Sequence, residues 1–95
     1  MVYEVVTQHV APENRDEHVK TWSKAWQEAA FKGAHGVRVL RCVEEPGKVV
    51  LLIEWDSVEA HQRHRGTPRH NDFRAASGGY STAPAEILHY SIEEL

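Results

Sequence analysis

Residues 54–74, E-W-D-S-V-E-A-H-Q-R-H-R-G-T-P-R-H-N-D-F-R, decide how the rest of the chain is read. They follow an apolar run and pass through Asp56 and Ser57, either of which can cap a helix; Asp56 three residues ahead of Glu59 resembles a capping box. Gly66 interrupts that helix. Thr67 and Pro68 then suit the N-cap and first position of another, because proline lacks only an N–H that would be unpaired there. The stretch therefore predicts a buried strand handing over to two short helices. It also carries His61, His64, His70, Trp55 and four arginines (Arg63, Arg65, Arg69, Arg74), so groups that take protons, stack on rings or hold anions gather near one strand end.

Immediately upstream, V-V-L-L-I-E-W over residues 49–55 is apolar on both faces, as in a central strand covered on both sides. Glu45-Pro46-Gly47-Lys48 has the chemistry of a hairpin turn, with glycine expected to supply a positive φ. Residues 37–44 alternate as the preceding strand. A helix is expected from about Glu13 to about Lys32, with acids Glu13, Asp16 and Glu17 at its positive end. Its apolar stripe is Val19, Trp22, Trp26, Ala29 and Ala30 at helical spacing. Gly33 and Gly36 are expected to close it. Residues 3–10 alternate as a first strand, with Glu4, Val6, Gln8 and Val10 on one face. Residues 85–92 form the last strand, with Ile87 and His89 facing opposite to Leu88 and Tyr90.

The order β, α, β, β, broken α, β is the split βαβ arrangement of a ferredoxin-like α+β sandwich, here a single domain over residues 1–95. One face of the third strand meets the helices. The other needs a cover that so short a chain hardly supplies, which predicts a homodimer through the sheet face, closed as a dimeric α/β barrel.

Eleven Lys and Arg against 14 Asp and Glu, a net charge of -3, argue against a nucleic-acid partner, which demands clustered basic residues. Cys42 stands alone, so no intrachain disulfide framework forms. No apolar run approaches the roughly 18 residues of a membrane span. The expectation is a cytoplasmic protein with no membrane partner.

Glu54, Trp55, Ser57, Glu59 and Ala60, followed by His64, Thr67-Pro68 and Phe73, with Pro46-Gly47 before the buried strand, form a pattern similar to the antibiotic biosynthesis monooxygenase superfamily. The resemblance implies a homodimer of facing sheets with a separate cavity in each subunit between sheet and helices. Some members of that superfamily oxidise polyketide anthrones to quinones with dioxygen and no metal or flavin. Others degrade heme or act on a quorum-signal phosphate. Trp55 matches a tryptophan of the anthrone oxygenases at the strand end, and Arg74 an arginine they use. His61 stands where they have a tyrosine and Leu51 where they have an asparagine, while His64 matches a histidine of other branches. The heme-degrading branch has an asparagine on its first strand, where this chain offers Thr7 and Gln8; near Arg63 that branch has a tryptophan.

The function implied is a cofactor-independent monooxygenase acting on a small planar aromatic substrate with dioxygen. Such chemistry asks the protein for a base, orientation and electrostatic support of an anion. His61 and His64, three apart on one helix face, are the candidate bases. Arg74 would hold the resulting oxyanion, and Trp55, Trp22 and Leu51 would bind the ring. The rival reading is a non-catalytic dimeric barrel that binds a hydrophobic metabolite. No metal is expected: His61, His64 and His70 match no structural-site spacing, and no carboxylate ligand is evident beside them. An open cavity lined by these residues favours catalysis; a filled one favours the binding module.

Overall fold

The computed structural model describes residues 1–95. Four strands, β1 (Val2–His9), β2 (Ala34–Arg41), β3 (Lys48–Trp55) and β4 (Glu86–Ser91), form one antiparallel sheet in the order β2-β3-β1-β4. Helices α1 (Arg15–Ala29), α2 (Val58–Gln62) and α3 (Pro68–Ser77) connect them. This is the ferredoxin-like α+β arrangement expected from the sequence, with β3 inserted between the two strands that α1 joins. No helix is long and apolar enough to cross a membrane.

Strand period two sorts the sheet into a helix-covered face and an outer face. Val49, Leu51, Ile53 and Trp55 of β3 are buried beneath the helices, together with Glu4, Val6 and Gln8 of β1. Trp22, Ala25 and Ala29 of α1 come down on them, joined by Phe31. A buried leucine such as Leu51 contributes about 2 kcal/mol through the apolar area it withdraws from water. The expectation that β3 is covered twice holds on one face: within this chain Val50 and Leu52 are only half-buried, because nothing in it packs on the outer side.

Several boundaries differ from the sequence reading. Helix α1 stops at Ala29, because Ala30 turns left-handed at φ 46° while its N–H bonds back to the Trp26 carbonyl. The glycines act elsewhere. Gly33 takes φ 89° in the following loop, and Gly36 lies in β2 beside a register shift. Strand β2 starts earlier than expected, since its pairing with β3 already runs from Ala34 opposite Trp55. At the hairpin, Lys48 N–H closes the turn on Glu45 O at 3.0 Å. Gly47 is needed there for close approach rather than for a positive φ: an added Cβ would lie 2.4 Å from the Val10 carbonyl oxygen.

The α2 cap is Ser57, whose Oγ accepts the Ala60 N–H at 3.0 Å; Asp56 instead meets the His35 ring. Thr67 caps α3 with Pro68 in its first turn, as expected, and Gly66 takes φ 76° between the helices.

Candidate functional site

Between the covered face of the sheet, α1, α3 and the 78–85 loop lies an open cavity of about 890 Å³. That volume falls in the roughly 300–1,000 Å³ range of small-molecule sites. All six residues singled out from the sequence line it: Trp22, Leu51, Trp55, His61, His64 and Arg74. Sheet geometry brings Leu51 and Trp55 there, since both stand on the helix-facing register of β3. The Ser57 cap turns the chain directly after β3, so that α2 returns His61 over Trp55.

The tryptophans are not two free walls around one slot. Trp55 stacks on the His61 ring at 4.9 Å and 25°, and Trp22 stacks on Trp26 at 5.4 Å and 9°. Each therefore already has one ring partner. His64 lies 5.7 Å from Trp55 and 4.9 Å from Phe31 between ring centres. Its Nε2 bonds the Lys32 carbonyl at 2.8 Å, and a carbonyl can only accept, so His64 carries its proton on Nε2 and leaves the Nδ1 lone pair unused when neutral. Arg74 lines the cavity and has no carboxylate within ion-pair distance, Asp72 included. Of the other arginines in the organising stretch, Arg65 also reaches the cavity, whereas Arg69 is tied to the Ala29 carbonyl at 2.5 Å.

Two groups that sequence reasoning passed over meet at His61, Glu4 on the cavity lining and His89 behind it. Glu4, only 5% exposed, accepts the Trp55 Nε1–H at 2.9 Å, and the same oxygen stands 3.5 Å from His61 Nε2. His89 of β4 places its Nε2 2.8 Å from His61 Nδ1. A polar chain Glu4–His61–His89 thus crosses from β1 to β4 by way of α2. The signal was present in the sequence: Glu4 and Gln8 interrupt Val6 and Val10 on what becomes the buried face of β1. Gln8 is spoken for by His18, fully buried on α1, whose Nε2 lies 2.7 Å from Gln8 Oε1.

Burial sets the charge state of these groups. It raises Glu4 above the ordinary carboxyl range, against smaller opposing effects of the Trp55 hydrogen bond and Arg65. His61 is pushed down to about 4, first by burial and then by His89, Arg65, His70 and His64 around it. The Glu4 carboxyl 3.5 Å away does not reverse this, since burial outweighs its support. His70 is lowered by burial and by Arg74, Arg65 and His64. His61, His64 and His70 share the cavity wall, but no three His, Cys, Asp or Glu side chains converge as metal ligands would.

The family model described as antibiotic biosynthesis monooxygenase matches residues 1–76. The chain belongs to this family. Solved structures repeat the architecture. A protein from Bordetella bronchiseptica, described as a proposed antibiotic biosynthesis monooxygenase, superposes with TM-score 0.89 at 21% identity over 98% of this chain and 97% of its own. One from Caulobacter crescentus with the same provisional description gives 0.80 at 23% identity, over 98% and 90%. A conserved protein from Methanosarcina mazei gives 0.78 at 18% identity, over 97% and 92%. At these identities the likeness establishes the fold alone, since one fold hosts many chemistries. No curated protein matches the chain.

Proposed function

We propose that this member of the antibiotic biosynthesis monooxygenase family is a cofactor-independent monooxygenase whose substrate is a small planar hydroxylated aromatic, of polyketide or quinol type, oxidised by dioxygen. The observation that carries the reading is the cavity itself, open where a pure scaffold would be filled, with both aromatic and ionisable groups in its lining. Trp22, Trp55 and Leu51 supply apolar surface for a ring. Proton removal falls to the wall that bears His61 and His64, and the unpaired Arg74 offsets the charge left on the substrate oxygen. An electron-rich anion is what dioxygen oxidises, so the protein's part is to bind the ring, make the anion and shelter it.

The reading includes a homodimer of single-domain chains. Leu40, Leu88 and Tyr90 are exposed on the outer sheet face, and Val5, Val50 and Leu52 fill the space between them, half-buried. Facing sheets of two copies would bury this surface and leave each cavity open on its helix side.

Oxygen uptake with a panel of anthrones and hydroquinones, in the presence of a chelator, tests the proposal. Turnover by the wild type, lost in the folded double variant His61→Ala, His64→Ala, supports it. Ligand binding without oxygen uptake across the panel would return the chain to a non-catalytic binding module.

A further inference from the structure

We propose that Glu4 is the group that takes the proton of a hydroxyaromatic bound in the cavity, with His61 as a positioning residue that holds and supports its carboxylate. The inference deepens the reading above and rests on it for the class of ligand.

Glu4 is the one acid among the residues lining the cavity and is nearly inaccessible outside it. One oxygen, Oε1, is engaged by the Trp55 Nε1–H and approached by His61. The other, Oε2, makes no hydrogen bond within the protein, nor is it sealed among the fully buried unpartnered atoms, so a ligand can reach it. His61 is constrained differently. Its Nδ1 is committed to His89 Nε2 at 2.8 Å. With Glu4 ionised, the favourable tautomer turns the His61 Nε2–H toward Oε1 and leaves Nδ1 to accept from His89; the other tautomer would oppose a lone pair to the carboxylate. In that state neither ring nitrogen of His61 is free to receive a proton, whereas Glu4 Oε2 is.

The step is a simple transfer. The substrate O–H bond breaks, its electron pair stays on oxygen as phenolate, and the proton forms an O–H bond on Oε2, leaving Glu4 as a neutral carboxylic acid. Burial favours that neutral form. The charge moves from Glu4 to the ring oxygen, still inside a wall that carries Arg65 and Arg74. The charged and titratable groups facing Glu4 are His61 from α2, Arg65 just beyond it, and His89 from β4; His64, His70 and Arg74 line the same cavity.

Anthrone turnover is measured against pH for the wild type, Glu4→Gln and Trp55→Phe. Glu4→Gln should lose at least about 100-fold in kcat with KM changed by less than about three-fold, and its rate should no longer fall on the acid side. Trp55→Phe removes the donor that favours the carboxylate, so its acid limb should move to higher pH, a shift that mere loss of packing would not cause. Glu4→Gln keeping a tenth or more of wild-type kcat, or an acid limb unmoved in both variants, overturns the assignment.

Should the wild type consume no oxygen, 4-nitrophenol separates the two readings. Its bound spectrum should shift toward that of the phenolate in the wild type and remain that of the neutral phenol in Glu4→Gln, which would sustain the role of Glu4 while the oxygenase reading falls. Identical bound spectra, or no binding to the wild type, would remove it.

Discussion

Trp55 and Glu4, 51 residues apart in the chain, meet inside the protein through a hydrogen bond of 2.9 Å from the indole N–H to the carboxyl. Neighbouring strands β3 and β1 bring them together, with Val2 opposite Trp55 and Glu4 opposite Ile53, so both side chains rise from the covered face of the sheet. The indole is 1% exposed, and its only polar atom would be unsatisfied without this partner.

Trp55→Phe should therefore destabilise the fold by about 2 kcal/mol, the loss of a buried hydrogen bond to a group able to ionise. The cost carries a pH dependence. The donor favours the carboxylate, so the loss should be greatest in alkaline solution and shrink in acid, where Glu4 is protonated in both proteins. Denaturant unfolding of the two proteins across pH measures it.

His61 adds a pH dependence of the same sign. Its pKa lies near 4 in the folded protein against 6.5 ordinarily, so the unfolded chain binds its proton first. The stability it supplies is complete above 6.5 and drains away as pH falls toward 4. Between about pH 7 and pH 4 the wild type should lose on the order of 2 kcal/mol more than His61→Gln, a figure reduced from the full shift because the ring is not wholly removed from solvent. Parallel unfolding curves for the two proteins would contradict it.

Gly47→Ala should cost about 1–3 kcal/mol by forcing apart the turn and the end of β1, where the new methyl would meet the Val10 carbonyl oxygen at 2.4 Å. The same approach supports the Val10 N–H to Gly47 carbonyl bond of 2.8 Å. Gly36→Ala, with nothing near its Cβ position, is the control and should change stability far less in the same melt.

Leu52→Lys places a charge at the centre of the apolar outer face while leaving the covered face untouched. Sedimentation should show a wild-type dimer and a folded monomer for the variant. A monomeric wild type, or a variant that still dimerises with wild-type affinity, would leave the sheet face without its proposed partner.

Much of this architecture could be read from period and punctuation. Alternation located the strands, Thr67-Pro68 and Ser57 marked the starts of two helices, and Val49 to Trp55 announced a central strand. Helix ends were less legible, because Ala30 rather than a glycine adopts the left-handed turn, held by its bond to Trp26. The six candidate site residues were chosen by chemical type and resemblance, and the fold lines one cavity with all of them. Glu4 and His89 escaped notice because a lone acid in a strand and a histidine near the chain end look like surface residues until their neighbours are known.

The sequence by itself determined the element order, the apolar face of each strand and the family, all properties of local pattern along the chain. Tertiary structure decided which polar residues share the interior: register on the sheet sets Glu4 beside Trp55 and His89 across from Glu4, and the Ser57 turn lowers His61 between them. Desolvation and charge depend on those distances in space. Only the folded chain therefore turns an unremarkable glutamate and two scattered histidines into a connected polar chain that borders a cavity.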